Sequence, residues 1–181
     1  MNQMAVNITD ALVGNLAARN DWDEPAQLYW LDLTKGQVRL DLFPVDQDIF
    51  TIGHPPEVLA ALAQAVEDQQ ETFRRVIPPS LIGIAFFCEA WTVNFKTNEE
   101  ARQAAGRRDT QPLSSHPQRI EQRTIIALER SGLRFYVSQP RGGEIESEVE
   151  HVLSDNPHHS GLIPAVLAQL LNAILSTDVP P

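Results

Sequence analysis

The chain predicts an α+β fold: a single domain over residues 1–181, with a mainly antiparallel sheet of about five strands and helices packed on one side of it. Three observations carry this expectation. Two pairs of strand-like segments flank tight turns, as half-buried hairpins do. One long apolar run, Leu81 to Phe95, reads LIGIAFFCEAWTVNF and suits a central strand. Helical periodicities occur between these segments without the regular strand–helix alternation of a doubly wound sheet.

Taken in order, residues 4–18 set Met4, Ile8, Leu12 and Leu16 at helical spacing, and Asn20 to Pro25 follows as a loop. QLYWLDLT and QVRLDLFP then flank Lys35-Gly36 as the first hairpin. Pro55-Pro56 opens a helix through EVLAALAQAVEDQQETFRR, with an acid in its first turn and Arg74-Arg75 at its end, matching the macrodipole. Pro78-Pro79 stops it, and the central strand 81–95 follows. Asn98 is placed to cap a short helix that ends at Gly106, and residues 107–117 (RRDTQPLSSHP) predict a mobile loop. QRIEQRTIIALER and LRFYVSQP form the second hairpin around Ser131-Gly132. The acidic EIESEVEHVLS fits either a helix or an extended edge. Pro157 to Gly161 reads as a turn, and LIPAVLAQLLNAIL (162–175) as a very apolar last helix.

Composition narrows the function classes. At 43% hydrophobic and 21% charged residues the chain is globular rather than disordered. A net charge of −10 argues against general nucleic-acid binding, although residues 76–143 hold nine bases against six acids. No apolar run is long enough to span a bilayer and the first residues lack a basic signal region, so an intracellular, cytoplasmic protein without membrane attachment is expected. Cys88 is the single cysteine, excludes an internal disulfide, and reads as a small buried hydrophobe.

Glu89 is the one acid that surface charge does not account for, because it stands in the middle of the apolar run. On a regular strand it shares a face with Phe87 and Trp91. In the segment 118–130, Arg119, Glu121 and Arg123 alternate and are positioned to meet it from a neighbouring strand. Glu89, Trp91, Arg119, Glu121 and Arg123 are therefore the candidate ligand-binding residues. Two roles stay open for them: a structural Arg–Glu ion pair, or a site for a small anionic ligand with Glu89 as acid or base. Arg102, Arg107 and Arg108 add to the basic character nearby. No GxxxxGK[ST], GxGxxG or GxSxG motif occurs, so neither a nucleotide cofactor nor a serine nucleophile is expected. His54, His116, His151, His158 and His159 lack ligand spacing, and no metal site is predicted from them.

Apolar surplus supplies a second theme. Trp22, Tyr29, Trp30, Phe43 and Phe50 crowd the first fifty residues and suit either a core under a loop or a protein contact. Leu162, Leu167, Leu170, Leu171 and Ile174 of the last helix likewise suit core or dimer.

Asp23 to Leu31, Gly83-Ile84-Ala85-Phe86 with Cys88-Glu89-Ala90-Trp91, and His116 to Arg123 resemble segments of small uncharacterised proteins of actinobacteria and their phages. Arg141-Gly142-Gly143 and Pro180-Pro181 fit the same resemblance. It implies an intracellular accessory protein and carries no activity or catalytic residues with it. The expectation is a non-enzymatic binding or assembly protein with a protein partner or self-association. The alternative is a small anionic-ligand-binding protein or enzyme that uses a buried glutamate with paired arginines.

Overall fold

A computed structural model describes residues 3–92, 117, 119–151 and 162–177. The predicted loop 107–117, apart from residue 117, the short helix after Asn98 and the turn at 157–161 lie outside the described residues. So do Arg102, Arg107, Arg108 and the end of the central run, 93–95. The elements are α1 (Gln3–Ala17), β1 (Gln27–Thr34), β2 (Gln37–Leu42), α2 (Ile49–Ile52), α3 (Pro55–Asp68), α4 (Gln70–Arg74), β3 (Leu81–Thr92), β4 (Ile120–Glu129), β5 (Leu133–Pro140), β6 (Glu146–His151) and α5 (Leu162–Thr177). The strands form one antiparallel sheet in the order β2-β1-β3-β4-β5-β6. The α+β expectation holds, with six strands rather than about five. The sixth is the acidic segment that also suited a helix: β5 offers it a free edge, and Ser147 and Val149 pair with Val137 and Phe135.

Helices cover both faces of the sheet, not one. The reason is the strand chemistry, since successive side chains point to opposite faces and both sets are apolar here. Tyr29, Leu31, Ala85, Phe87, Ile125, Ala127, Phe135 and Val137 face α1, where Ala5, Ile8, Leu12 and Leu16 cover them. Leu28, Trp30, Ile84, Phe86, Cys88, Ile126, Leu128 and Tyr136 face the other way, under Leu59, Ala63 and Val66 of α3 and Leu167, Leu170, Leu171 and Ile174 of α5. Ile8, Leu12 and Leu16 are fully buried, each contributing about 1.5–3 kcal/mol relative to exposure. That anchors a helix with no acid in its first turn.

The aromatic residues of the first fifty mostly fill this core. Phe43 stacks on Trp30 with ring centroids 4.1 Å apart, and Phe50, on α2, meets Phe86 edge-on at 5.1 Å. Tyr29 is buried as well; Trp22 is only half covered. The long helix expected after Pro55-Pro56 is broken at Gln69 (φ −124°, ψ 37°) into α3 and α4. The β1–β2 turn is of the mirror-image type that hairpins favour, with Lys35 and Gly36 both at positive φ (53° and 79°). Among the described residues no helix is long and apolar enough to cross a membrane.

Two positions in β1 and β3 tolerate little change. A Cβ on Gly83 would stand 2.1 Å from the Leu128 carbonyl oxygen, so β3 and β4 approach more closely than any side chain permits. Asp32 is buried where the β1–β3 register shifts, and its two carboxylate oxygens accept from the hydroxyls of Ser80 and Thr34. Those hydrogen bonds, the one from Ser80 first, hold its pKa below the ordinary 3.8.

We expect Gly83→Ala to cost about 3 kcal/mol or more in urea unfolding, since backbone rather than a flexible side chain must move; unchanged stability would remove the close approach from the account. For Asp32 the folded-state pKa lies below the unfolded one, so its contribution is complete above the unfolded value and is lost as pH falls through the folded one. Asp32→Asn is expected to lower stability by about 1–2 kcal/mol at neutral pH. The urea midpoints of wild type and variant should converge in acid below pH 3.8, and parallel pH profiles would contradict this role.

Candidate functional site

The α1-facing side of the sheet continues past the C-terminal end of that helix, and there its residues turn polar. Register aligns them: Glu89 of β3 stands opposite Arg123 of β4, Arg123 opposite Gln139 of β5, and Trp91 opposite Glu121. Four of the five candidates read from the sequence, Glu89, Trp91, Glu121 and Arg123, thus share one face. Arg119, expected within a strand, precedes β4 and lies over the Trp91 ring instead, 4.8 Å from its centroid.

The segment 18–26 crosses this face on its way from α1 to β1, and Arg123 holds it down. Arg123 is 5% exposed, and its guanidinium donates to Gln139 Oε1 (2.8 and 2.6 Å) and to the backbone carbonyl oxygens of Arg19 (2.9 Å) and Asp21 (3.5 Å). The Trp22 ring lies 5.1 Å above it. Among the described residues, the structural ion pair expected between Glu89 and an arginine does not form. The guanidinium fork is spent on carbonyl and amide oxygens, while Glu89 Oε2 accepts from the backbone N–H of Asp23 at 2.7 Å.

A second arginine, which the sequence reading passed over, fixes the start of the same segment. Arg19 donates to Glu24, Gln27 and the Tyr29 hydroxyl and lies flat on Phe87, 3.5 Å from the ring centroid. Burial of the Tyr29 phenol raises its pKa, with Arg19 opposing that rise.

At the outer rim, carboxylate oxygens of Asp23, Glu89 and Glu121 come within 4.8 Å of one another. Asp23 reaches this position through a left-handed backbone (φ 65°), which aspartate tolerates better than most residues. Glu121 accepts from Arg141, whose own backbone N–H also bonds the Glu121 carbonyl at 2.8 Å. The Glu121 hydrogen bond is the main cause of the raised Arg141 pKa. Arg141 also lies over the Trp22 ring, 5.2 Å from its centroid. Glu89 Oε1 is buried and has no hydrogen-bond partner among the described residues. These three acids are the described groups able to share one cation, and their donor set suits a hard metal ion or an ammonium. They do not suit an anion.

Of the residues missed as part of this site, Gln139 and Asp23 gave no local signal, since their role depends on contacts 16 and 66 residues away; Trp22, read for core or a protein contact, instead meets Arg123 and Arg141. Cys88 lies on the opposite face in the α3–α5 core, and burial pushes its thiol up to about 12, which fits an inert hydrophobe.

Arg123→Ala should release segment 18–26. We expect a loss of about 2–4 kcal/mol in stability, since several buried oxygens lose their donor, together with a red shift in tryptophan emission as Trp22 becomes wet. A variant with wild-type emission and stability would show that the segment is held by other contacts.

No protein family, curated protein or solved structure matches this chain, so the resemblance to actinobacterial and phage proteins rests on the short motifs quoted above.

Proposed function

We propose that this protein works by binding a protein partner at the polar end of β3 and β4, and that it is not an enzyme. The observation that carries the reading is Trp91: it is 40% exposed and stacked under Arg119, beside a buried carboxylate oxygen of Glu89 that has no hydrogen-bond partner among the described residues. Tryptophan and arginine are among the residues that most often anchor protein interfaces: the indole buries a large rigid area with two rotatable bonds, and the guanidinium adds a planar fork of donors. The neighbouring acids Asp23, Glu89 and Glu121 give such a partner's basic side chain its acceptors.

The same arrangement gives less support to an anionic ligand. Arg123 has its donors engaged with Gln139 and two carbonyls, and an anion beside Glu89 would meet three carboxylates. The thiol of Cys88, the remaining nucleophile of interest, faces the far core. A cytoplasmic accessory role agrees with a single cysteine held as a thiol.

Full-length wild type, Trp91→Ala and Glu89→Gln serve as baits on a lysate of the native host, with circular dichroism as the check on folding. We expect a protein retained by wild type and lost about tenfold or more with Trp91→Ala, the loss that one interface anchor commands. Glu89→Gln should weaken it less. Equal recovery on wild type and Trp91→Ala would exclude this surface.

A further inference from the structure

The sheet has two rims, β2 and β6, and they differ in chemistry. Glu146, Glu148 and Glu150 line β6, and Glu150 is paired with Arg134 of the adjacent strand, so that rim is acidic. β2 reads Gln37-Val38-Arg39-Leu40-Asp41-Leu42 and has no proline, lysine or bulge to protect it. Just beyond it, the N–H of Phe43 donates to the Leu28 carbonyl at 2.9 Å. Odd-numbered residues here therefore turn their amides toward β1, and Val38, Leu40 and Leu42 turn theirs outward. Among the described residues no turn, cap or side-chain hydrogen bond reaches those outward groups.

We propose that β2 pairs antiparallel with β2 of a second copy of this chain, about a two-fold axis at Leu40. This register places Leu40 opposite Leu40 and Val38 opposite Leu42, all with outward amides, so the exposed Leu42 (54%) gains a neighbour. It also places Arg39 opposite Asp41, twice by symmetry. Both charged side chains are more than half or half exposed (62% and 50%), lie on one face and already approach to 3.7 Å within one chain. The charges decide the register. Moving the axis one residue toward the turn sets Arg39 against Arg39, and moving it one residue the other way sets Asp41 against Asp41. A strand that reads plus then minus is complementary to its own antiparallel copy only when centred between the two charges. The two sheets then run on as one across the axis. This surface is separate from the Trp91 end, and the inference does not rest on the partner-binding reading.

Sedimentation equilibrium of the full chain over a concentration series tests it, with circular dichroism confirming that each variant folds. Wild type should show a concentration-dependent dimer. Arg39→Asp alone opposes two acids to two acids, and Asp41→Arg alone opposes bases to bases. Each should raise the dimer Kd about tenfold or more. The combined Arg39→Asp/Asp41→Arg swap restores both pairs and should return the dimer. A wild type that stays monomeric up to about 0.5 mM would overturn the proposal, since it leaves less affinity than a specific contact gives. So would a dimer that either single reversal leaves unchanged, or one that the swap fails to restore.

Discussion

The constraint on which the molecule depends is that its central strands are apolar on both faces. Phe86 and Phe87, or Ile125 and Ile126, are consecutive residues that point in opposite directions, and all four are buried. Such a sheet is stable only when covered twice. The α1 side and the α3–α5 side are therefore not ornaments on a one-sided sheet. They are two cores that share a wall, and loss of either would expose one face of each central strand. The mostly apolar α5 and the alanine-rich α3 meet this demand on one side, while the shorter apolar stripe of α1 meets it on the other.

Because α1 is shorter than the strands beneath it, its side of the sheet cannot be apolar to the end. Where the helix stops, Glu89, Glu121, Arg123 and Gln139 replace aliphatic residues, and a loop rather than a helix becomes the cover. A loop has backbone groups to satisfy. Arg123 and Glu89 do this from below, taking carbonyls and an N–H of the segment 19–23 respectively. Each of these charged residues is thus employed by the backbone across from it, which explains why opposite charges in register do not bond directly. The residual carboxylate oxygen and the open ring of Trp91 are what the architecture leaves over at the rim.

Much of the fold was legible in the residues. Both hairpins, the buried central strand and the helix behind Pro55-Pro56 follow from period and punctuation alone. β6 was ambiguous because ESEVEH carries its acids at spacings that suit a solvated helix face as well as an edge strand; only the vacant side of β5 decides. Cover on two sides was visible in principle, since Tyr29 and Trp30, or Phe86 and Phe87, are adjacent apolar residues of opposite facing, but the alternation of the hairpins by itself predicts only one covered face. For the candidate site, period-two spacing correctly aligned Glu89 with Trp91 and Glu121 with Arg123. It could not reveal which oxygen each arginine would choose. That choice is set by the path of residues 18–26, fixed by Arg19 and by the left-handed turn at Asp23, and neither has a signature in local sequence.

The contacts of Arg123 also impose an order in time. Its donors reach the carbonyl of Arg19, a partner 104 residues earlier in the chain, and β1 rests on β3 rather than on anything nearer the N-terminus except β2. During synthesis, then, Ile8, Leu12 and Leu16 emerge long before β3, β4 and β5 exist to receive them. A helix made before the strands that cover it finds its place only after they do, and for that interval its apolar stripe must be tolerated in water or sheltered by something else in the cell.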